Sequence, residues 1–401
     1  MEPDPYALNL RHLRAMAIVA RRGTLVAAAD QVGISQPALT AAIAGLEKRL
    51  VPLFVRTRAG MRPNEAGLIL TERVEEAFVH FGTGLRSGQR QRGFAEPERL
   101  VTTSQLRALL ALADEGSFMG AATTTGLSQP ALHRSIRDIE RLTGVPLIER
   151  RGRRVALTHA GRRAARGFRL GLGALRAALV EVAALQGEAA SDRITVGAMP
   201  LCRARLLPGA ITALLSHQSD TRVTVIEGAH RELIEQLRDG QIDMTVGALR
   251  DPSPGADLEQ EPLLVDRLAI VGRGGHPLAG PRQPSRAELA GYRWLVGLPG
   301  SPLRTHWEEL FAGGPMPIAP TDCGSVMVLR AMLMAGDFLT LLSPEQIGME
   351  LRTGMLALVG APLEDHVRTI GITSRTGWRP TPTQQQFIAM LREEGSRIQV
   401  N

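Results

Sequence analysis

The sequence predicts a multidomain chain: two mainly α winged helix-turn-helix modules, followed by an α/β domain of two lobes. Three observations lead there. Residues 9–67 align with 102–161, so one unit is present twice. In each copy a Ser-Gln-Pro-Ala-Leu start opens a stretch with apolar residues at helical spacing. From Ile194 onward, strands alternate with helices.

The repeat comes first in the chain. At an offset of 93, Leu13 matches Leu106, Gly23 matches Gly116, Ala28 and Ala29 match Ala121 and Ala122, and Gly33 matches Gly126. After one inserted residue, Pro52-Leu53 match Pro146-Leu147, Arg56 matches Arg150, and Ala66-Gly67 match Ala160-Gly161. In the second copy Ser128 is a good N-cap, and Pro130 falls in the first turn, where a helix does not need its N–H. Leu132, Ile136, Ile139 and Leu142 then form an apolar face, while His133, Arg134, Arg137 and Arg141 lie opposite. Before them, Ser117–Leu127 reads as a short helix with close-packing alanines and a glycine turn. This is the pattern of a helix-turn-helix.

Each copy ends in a short basic hairpin, 54–62 and 148–156, with arginines on both limbs suited to phosphate contact. Asn64 and Thr158 are predicted to cap the helices that follow. The expected layout is a first module with a short following helix over 1–85, a polar linker over 86–101, and a second module over 102–160. A linking and dimerising helix over 161–190 comes next, with Leu170, Leu172, Leu175, Leu179 and Val182 as its stripe.

In the last region, strands are expected at 194–198, 222–226 and 242–247, with helices at 203–216 and 230–239 between them. Such an order implies a parallel sheet. A second set of strands follows at 267–271, 294–297, 338–342 and 369–373. The α/β domain therefore spans 191–401, with lobe I at about 191–266 plus the segment from about 368, and lobe II at about 267–367. Ligands of such sheets sit beyond the carboxyl ends of the strands.

Charge separates the two halves. Residues 1–190 hold 27 Lys+Arg against 17 Asp+Glu, and residues 191–401 hold 20 against 23. A basic first half suits a polyanion, and double-stranded DNA is the partner expected for it. The long apolar run of a membrane span is absent from the sequence, and Met1–Tyr6 has neither the basic nor the apolar part of an export signal, so a cytoplasmic location is expected. Cys202 and Cys323 fit no metal or redox spacing, and no cofactor or metal is expected.

Over nearly its whole length the sequence resembles the LysR-type transcriptional regulators. The carriers are Ser128-Gln-Pro-Ala-Leu132, Gly144-Val-Pro-Leu-Ile-Glu-Arg150, Leu157-Thr-His-Ala-Gly161, the stretch from Glu227-Gly to Gly240-Gln-Ile-Asp-Met244, and Ala335-Gly-Asp-Phe-Leu-Thr-Leu-Leu-Ser-Pro344. The resemblance implies a winged helix-turn-helix, a dimerising linker helix, and a periplasmic-binding-protein-like effector domain whose small-molecule ligand changes DNA geometry. A dimer or tetramer acting as a regulator follows from it. The chain departs from the family's usual single DNA-reading module by carrying a second.

The candidate DNA contacts are Ser128, Gln129, Pro130, His133, Arg134, Arg137, Arg150, Arg153 and Arg154 in the second copy. In the first they are Ser35, Gln36, Thr40, Arg56, Arg58 and Arg62. The outward positions of the first copy, Thr40, Ala41, Ala44 and Lys48, offer few groups to base edges, whereas arginine reads guanine well. Base reading is therefore assigned mainly to the second copy. The first is read as a weakly specific phosphate binder, with an equal second reader and a structural or dimerising remnant as the other readings. For the effector the loops after the strands are the candidates: Met199, Pro200 and Cys202, His230, Gly300 and Ser301, and Asp322 and Cys323. Arg203 or Arg304 could clamp a carboxylate. The two cysteines are read as structural thiols before a redox pair. An architectural DNA binder without an effector, and an enzyme built on the α/β domain, are the remaining function classes; for the enzyme there is no nucleophile elbow, metal set or paired carboxylate motif.

Overall fold

The computed structural model describes residues 4–57, 60–86, 93–152, 154–187 and 192–400. The first module is built from α1 (Leu10–Arg22), α2 (Leu25–Val32), α3 (Gln36–Arg49), the hairpin β1 (Phe54–Thr57) with β2 (Gly60–Pro63), and α4 (Glu65–Leu85). The second repeats it as α5 (Thr103–Glu115), α6 (Phe118–Thr125), α7 (Gln129–Thr143), β3 (Ile148–Arg151) with β4 (Arg154–Leu157), and α8 (His159–Ala184).

The same local chemistry shapes both copies. Gly23 and Gly116 end α1 and α5 in the left-handed region, with φ of 72° and 64°. Their carbonyls then accept the N–H of Met61 and of Val155, at 2.8 and 3.1 Å, which docks each hairpin on its first helix. Glu47 accepts Leu53 N–H at 2.8 Å, and Glu140 accepts Leu147 N–H at 2.8 Å. Asn64 and Thr158 differ chemically yet do one job. Each accepts the N–H of its N3 glycine, Gly67 or Gly161, and each donates to a proline carbonyl, Pro52 or Pro146. The copies differ at the end of the third helix, where α7 stops at left-handed Gly144 and α3 at Leu50, whose φ is −109°.

Helix α4 is 21 residues long, not short, and it pairs antiparallel with α8. The apolar stripe of α8, expected to meet a second chain, therefore meets the first module of its own chain. Small residues let the backbones touch: a Cβ added at Gly167 would lie 2.8 Å from Gly84 Cα, and one at Gly171 would lie 2.8 Å from the Ala77 carbonyl. The guanidinium of Arg73 is buried against Glu181 and bonds Glu76 at 3.1 Å. One continuous core runs from Leu13 and Met16 through Leu70 and Phe81 to Phe168, Leu106 and Ile136.

The α/β domain opens with β5 (Arg193–Ala198), α9 (Leu206–His217), β6 (Arg222–Glu227), α10 (His230–Arg238), β7 (Met244–Ala248) and β8 (Leu258–Arg267). Next come β9 (Ala269–Arg273), α11 (Arg286–Ala290), β10 (Arg293–Val296), α12 (Pro302–Leu310), β11 (Thr321–Asp322), α13 (Val326–Ala335), β12 (Phe338–Leu342), α14 (Gly348–Thr353) and β13 (Leu356–Leu358). The chain returns through β14 (Val367–Arg375) and ends in α15 (Pro382–Val400), which packs on α9 and β8. The sheets have the orders β6-β5-β7-β14-β8 and β11-β10-β12-β9-β13. Neither is purely parallel as expected. In lobe I, β5, β6 and β7 are parallel, but β14 runs antiparallel to β7 and β8, because the chain leaves the lobe on β8 and re-enters it on β14.

Lobe I rests on the helix pair. Arg166 on α8 bonds Asp239 at 2.8 Å, Arg73 on α4 donates to the Arg379 carbonyl at 3.1 Å, and Arg379 pairs with Glu72 at 2.9 Å. Among the described residues, no helix is long and apolar enough to cross a membrane.

Candidate nucleic-acid interface and effector cleft

Ser128 Oγ accepts the N–H of Ala131 at 3.3 Å, as Ser35 Oγ does from Ala38 at 3.4 Å. Each hydroxyl keeps its own proton to donate, so capping and phosphate contact are compatible. Gln129, Pro130, Arg134 and Arg137 are exposed on α7, and neither arginine has an ion-pair partner among the described residues. Arg141 pairs with Asp138 at 3.5 Å. His133 is exposed, but its ring stacks on Phe118 with centroids 3.7 Å apart, so packing fixes it as much as any ligand would.

On α3, Gln36, Thr40, Ala41, Ala44 and Lys48 are exposed in the equivalent row. The Thr40 hydroxyl donates back to the Gln36 carbonyl at 3.0 Å. In the first hairpin Val55 faces Arg62 and Arg56 faces Met61, so the two exposed arginines lie on opposite faces. Arg150, opposite Val155, and Arg154, opposite Arg151, are likewise split. Arg58 and Arg153 lie outside the described residues.

The effector candidates divide sharply. Pro200 and Gly300 are exposed, His230 is half-buried at the start of α10, and Ser301 caps α12 by accepting Arg304 N–H at 3.3 Å. Met199 and Cys202 are not cleft residues. Met199 packs with Leu233 and Leu237, while Cys202 is wholly buried beside Val196 and Leu206 and donates to the carbonyls of Met199 and Val246, both at 3.0 Å. Burial pushes the Cys202 thiol up to about 12. Asp322 is exposed but tied to Arg304 at 2.7 Å, and half-buried Cys323 accepts Ser325 N–H at 3.4 Å. Neither suggested clamp is available, since Arg203 pairs with Glu227 and Arg304 with Glu308 and Asp322.

A different arginine was missed. Arg250 follows β7 at its carboxyl end, half-buried, with no side-chain partner among the described residues. Leu249 N–H donates to the Thr369 carbonyl, which sets Arg250 beside Arg368. Burial, and then Arg368, hold the Arg250 guanidinium below its usual range, and burial followed by Arg250 does the same to His230. Arg368 is itself held by buried Asp266 at 2.5 Å, and Asp266 also accepts the Ser343 hydroxyl at 2.5 Å, joining the lobes. The rule that ligands gather beyond strand ends could have pointed to the loop after β7. Nearby, His306 and His366 place their Nδ1 atoms 3.2 Å apart, and Glu309 is 3.3 Å from His306.

Comparison with known proteins agrees with this architecture. The family described as "LysR substrate binding domain" matches residues 187–396, and "Bacterial regulatory helix-turn-helix protein, lysR family" matches twice, at 10–68 and 103–162. The HTH-type transcriptional regulator GalR of Pseudomonas putida is 31% identical over 394 residues, covering 96% of this chain and 97% of that protein. An alignment of that extent takes in both modules. The regulator PcaQ of Agrobacterium fabrum is 28% identical over 303 residues, 75% of this chain and 97% of its own length. Among solved structures, a full-length OxyR variant from Pseudomonas aeruginosa superimposes with a TM-score of 0.58 at 22% identity, covering 74% of this chain and 94% of that one, which shows a shared fold.

Proposed function

The chain belongs to the LysR-type transcriptional regulators, and on that premise we propose that it binds a small organic anion between its lobes and reads DNA chiefly through Arg134 and Arg137. It is a DNA-binding regulator that responds to a small-molecule effector. It acts by binding and not by catalysis, in the cytoplasm. Because the stripe of α8 is covered by α4, self-association uses other surfaces.

The observation that carries the ligand class is Arg250. A half-buried cation beside a second arginine, with no acid paired to it among the described residues, is stabilised by an incoming carboxylate or oxoanion. His230, whose imidazole feels the Arg250 charge, would share the ligand with it, and the exposed loop residues Pro200 of lobe I and Gly300 of lobe II, with half-buried Ser301 beside the latter, are the further contacts proposed. Closure on the ligand would be felt by α4 and α8 through Arg73, Arg166 and Arg379, which is the physical route from effector to DNA.

Thermal shift with a panel of small carboxylates and their neutral amides tests this reading. Acids are expected to stabilise the full chain, and Arg250→Ala to weaken the best of them by about 1.5–3 kcal/mol, the worth of a hydrogen bond to a charged group, with DNA affinity unchanged. Equal stabilisation by the amides, or full response in Arg250→Ala, would refute it.

A further inference from the structure

We propose that a single chain reads two unequal half-sites as one unit, and so binds an asymmetric operator in one fixed orientation; this rests on the DNA-reading role given above to Arg134 and Arg137. The pairing of the modules has the form of a twofold interface within one polypeptide. Ala77 and Gly171 are equivalent residues of the two copies, and they face each other where α4 and α8 cross. Only an isologous contact brings a position onto its own counterpart. The lead-in segments obey the same exchange. The turn Pro5–Ala7 before the first module packs on α8 and α5 of the second, and the turn Pro97–Arg99 before the second packs on α4 of the first.

A twofold rotation leaves direction along its axis unchanged. If α7 faces DNA along that axis, α3 faces it as well and at the same height. The scaffolds under the two helices also agree bond for bond at Glu47 and Glu140, Asn64 and Thr158, and Gly23 and Gly116. The readers do not agree. The α7 face carries two arginines suited to guanine, without an ion-pair partner among the described residues, and the α3 face carries Thr40, Ala41 and Ala44, whose methyl groups suit thymine. A pair of identical modules on a palindrome has no preferred direction, whereas this pair has one. Lobe I, anchored on α4 and α8, inherits it. The covalent link also keeps the partner module at millimolar effective concentration, so both halves are read at dilutions that would separate two chains.

The test uses the full chain and a duplex selected from random DNA for tight binding. Two further duplexes are made symmetric, one with two copies of the left half and one with two copies of the right. Each symmetric duplex is expected to bind at least about tenfold more weakly, since several base pairs then mismatch one module. Footprints of two surface variants assign the halves: Arg137→Ala is expected to lose protection in one half, and Ala44→Glu, which puts an acid on the exposed face of α3, in the other half only. A symmetric duplex bound as tightly as the selected one, or an unchanged footprint in Ala44→Glu, overturns the proposal while leaving the second module as a reader. If Arg137→Ala also binds unchanged, the DNA-reading assignment itself fails.

Discussion

Two glycines on α8, two residues apart, should respond to the same substitution with different signs. A carbon added at Gly173 meets nothing within 4 Å, whereas one added at Gly171 would lie 2.7 Å from Phe81 Cδ1 and 2.8 Å from the Ala77 carbonyl oxygen. Both replacements gain helix propensity, about 0.8–1.0 kcal/mol for Gly→Ala in a helix interior. Only Gly171→Ala must also push α4 and α8 apart, and overpacking of this kind costs about 1–3 kcal/mol. Gly171→Ala should therefore sit about 1–3 kcal/mol below Gly173→Ala. At about 2–4 °C per kcal/mol for a body of 150–250 residues, calorimetry should separate the two by several degrees in the transition of the N-terminal half. That transition should not move with protein concentration, because the pairing is intramolecular. Equal rises in Tm for both variants would refute the close crossing at Ala77 and Gly171.

Three further outcomes follow from buried chemistry. A maleimide probe at neutral pH should label Cys323 and spare Cys202, whose thiol lies at about 12 and is sealed in the lobe I core; rapid labelling of folded Cys323→Ser at Cys202 would contradict that placement. His80, His230, His276 and His306 are all held below the usual imidazole value of 6.5, burial being the first cause in each. The unfolded chain therefore takes up these protons first, so stability should be complete above pH 6.5 and fall as pH drops below it, as read by denaturant titration; a flat profile from pH 7 to 5 would count against those burials. Asp266→Ala removes a buried carboxylate, strands the largely covered guanidinium of Arg368 and frees Ser343 from its lobe contact, and should cost about 3 kcal/mol in the same titration.

Much of the fold was legible because the chain repeats itself and caps its helices openly. Ser128, Pro130 and the Leu132–Ile139 spacing specify α7, and the caps Asn64 and Thr158 mark where α4 and α8 begin. Strand β8 was not visible. Its run Leu258-Glu-Gln-Glu-Pro mixes charge with a proline, and the register shifts beside Pro262: Gly371 faces Pro262 while Ile370 faces Leu264, which leaves Leu263 without a partner in the register. The partner of α8 was hidden for a different reason: an apolar stripe does not say whether its complement lies in the same chain. Close contact there also falls to Gly167 and Gly171 and not to the leucines alone, one of which, Leu170, instead reaches toward Gly240 of lobe I. Cleft chemistry was the least legible. Arg250 becomes a candidate only when β14 brings Arg368 beside it, and Met199 and Cys202 look like loop residues until the sheet turns them into the core.

Pairing of the two modules inside one chain is best measured by a distance between spin labels at exposed Val79 on α4 and exposed Gly173 on α8, in a chain whose native cysteines are replaced by serine. The labelled chain is diluted into excess unlabelled protein. Intramolecular pairing gives one short distance, within about 25 Å for two packed helices, that persists unchanged at every dilution. A short distance that disappears on dilution would mean that the helices meet between chains, and the single-chain reader would be wrong.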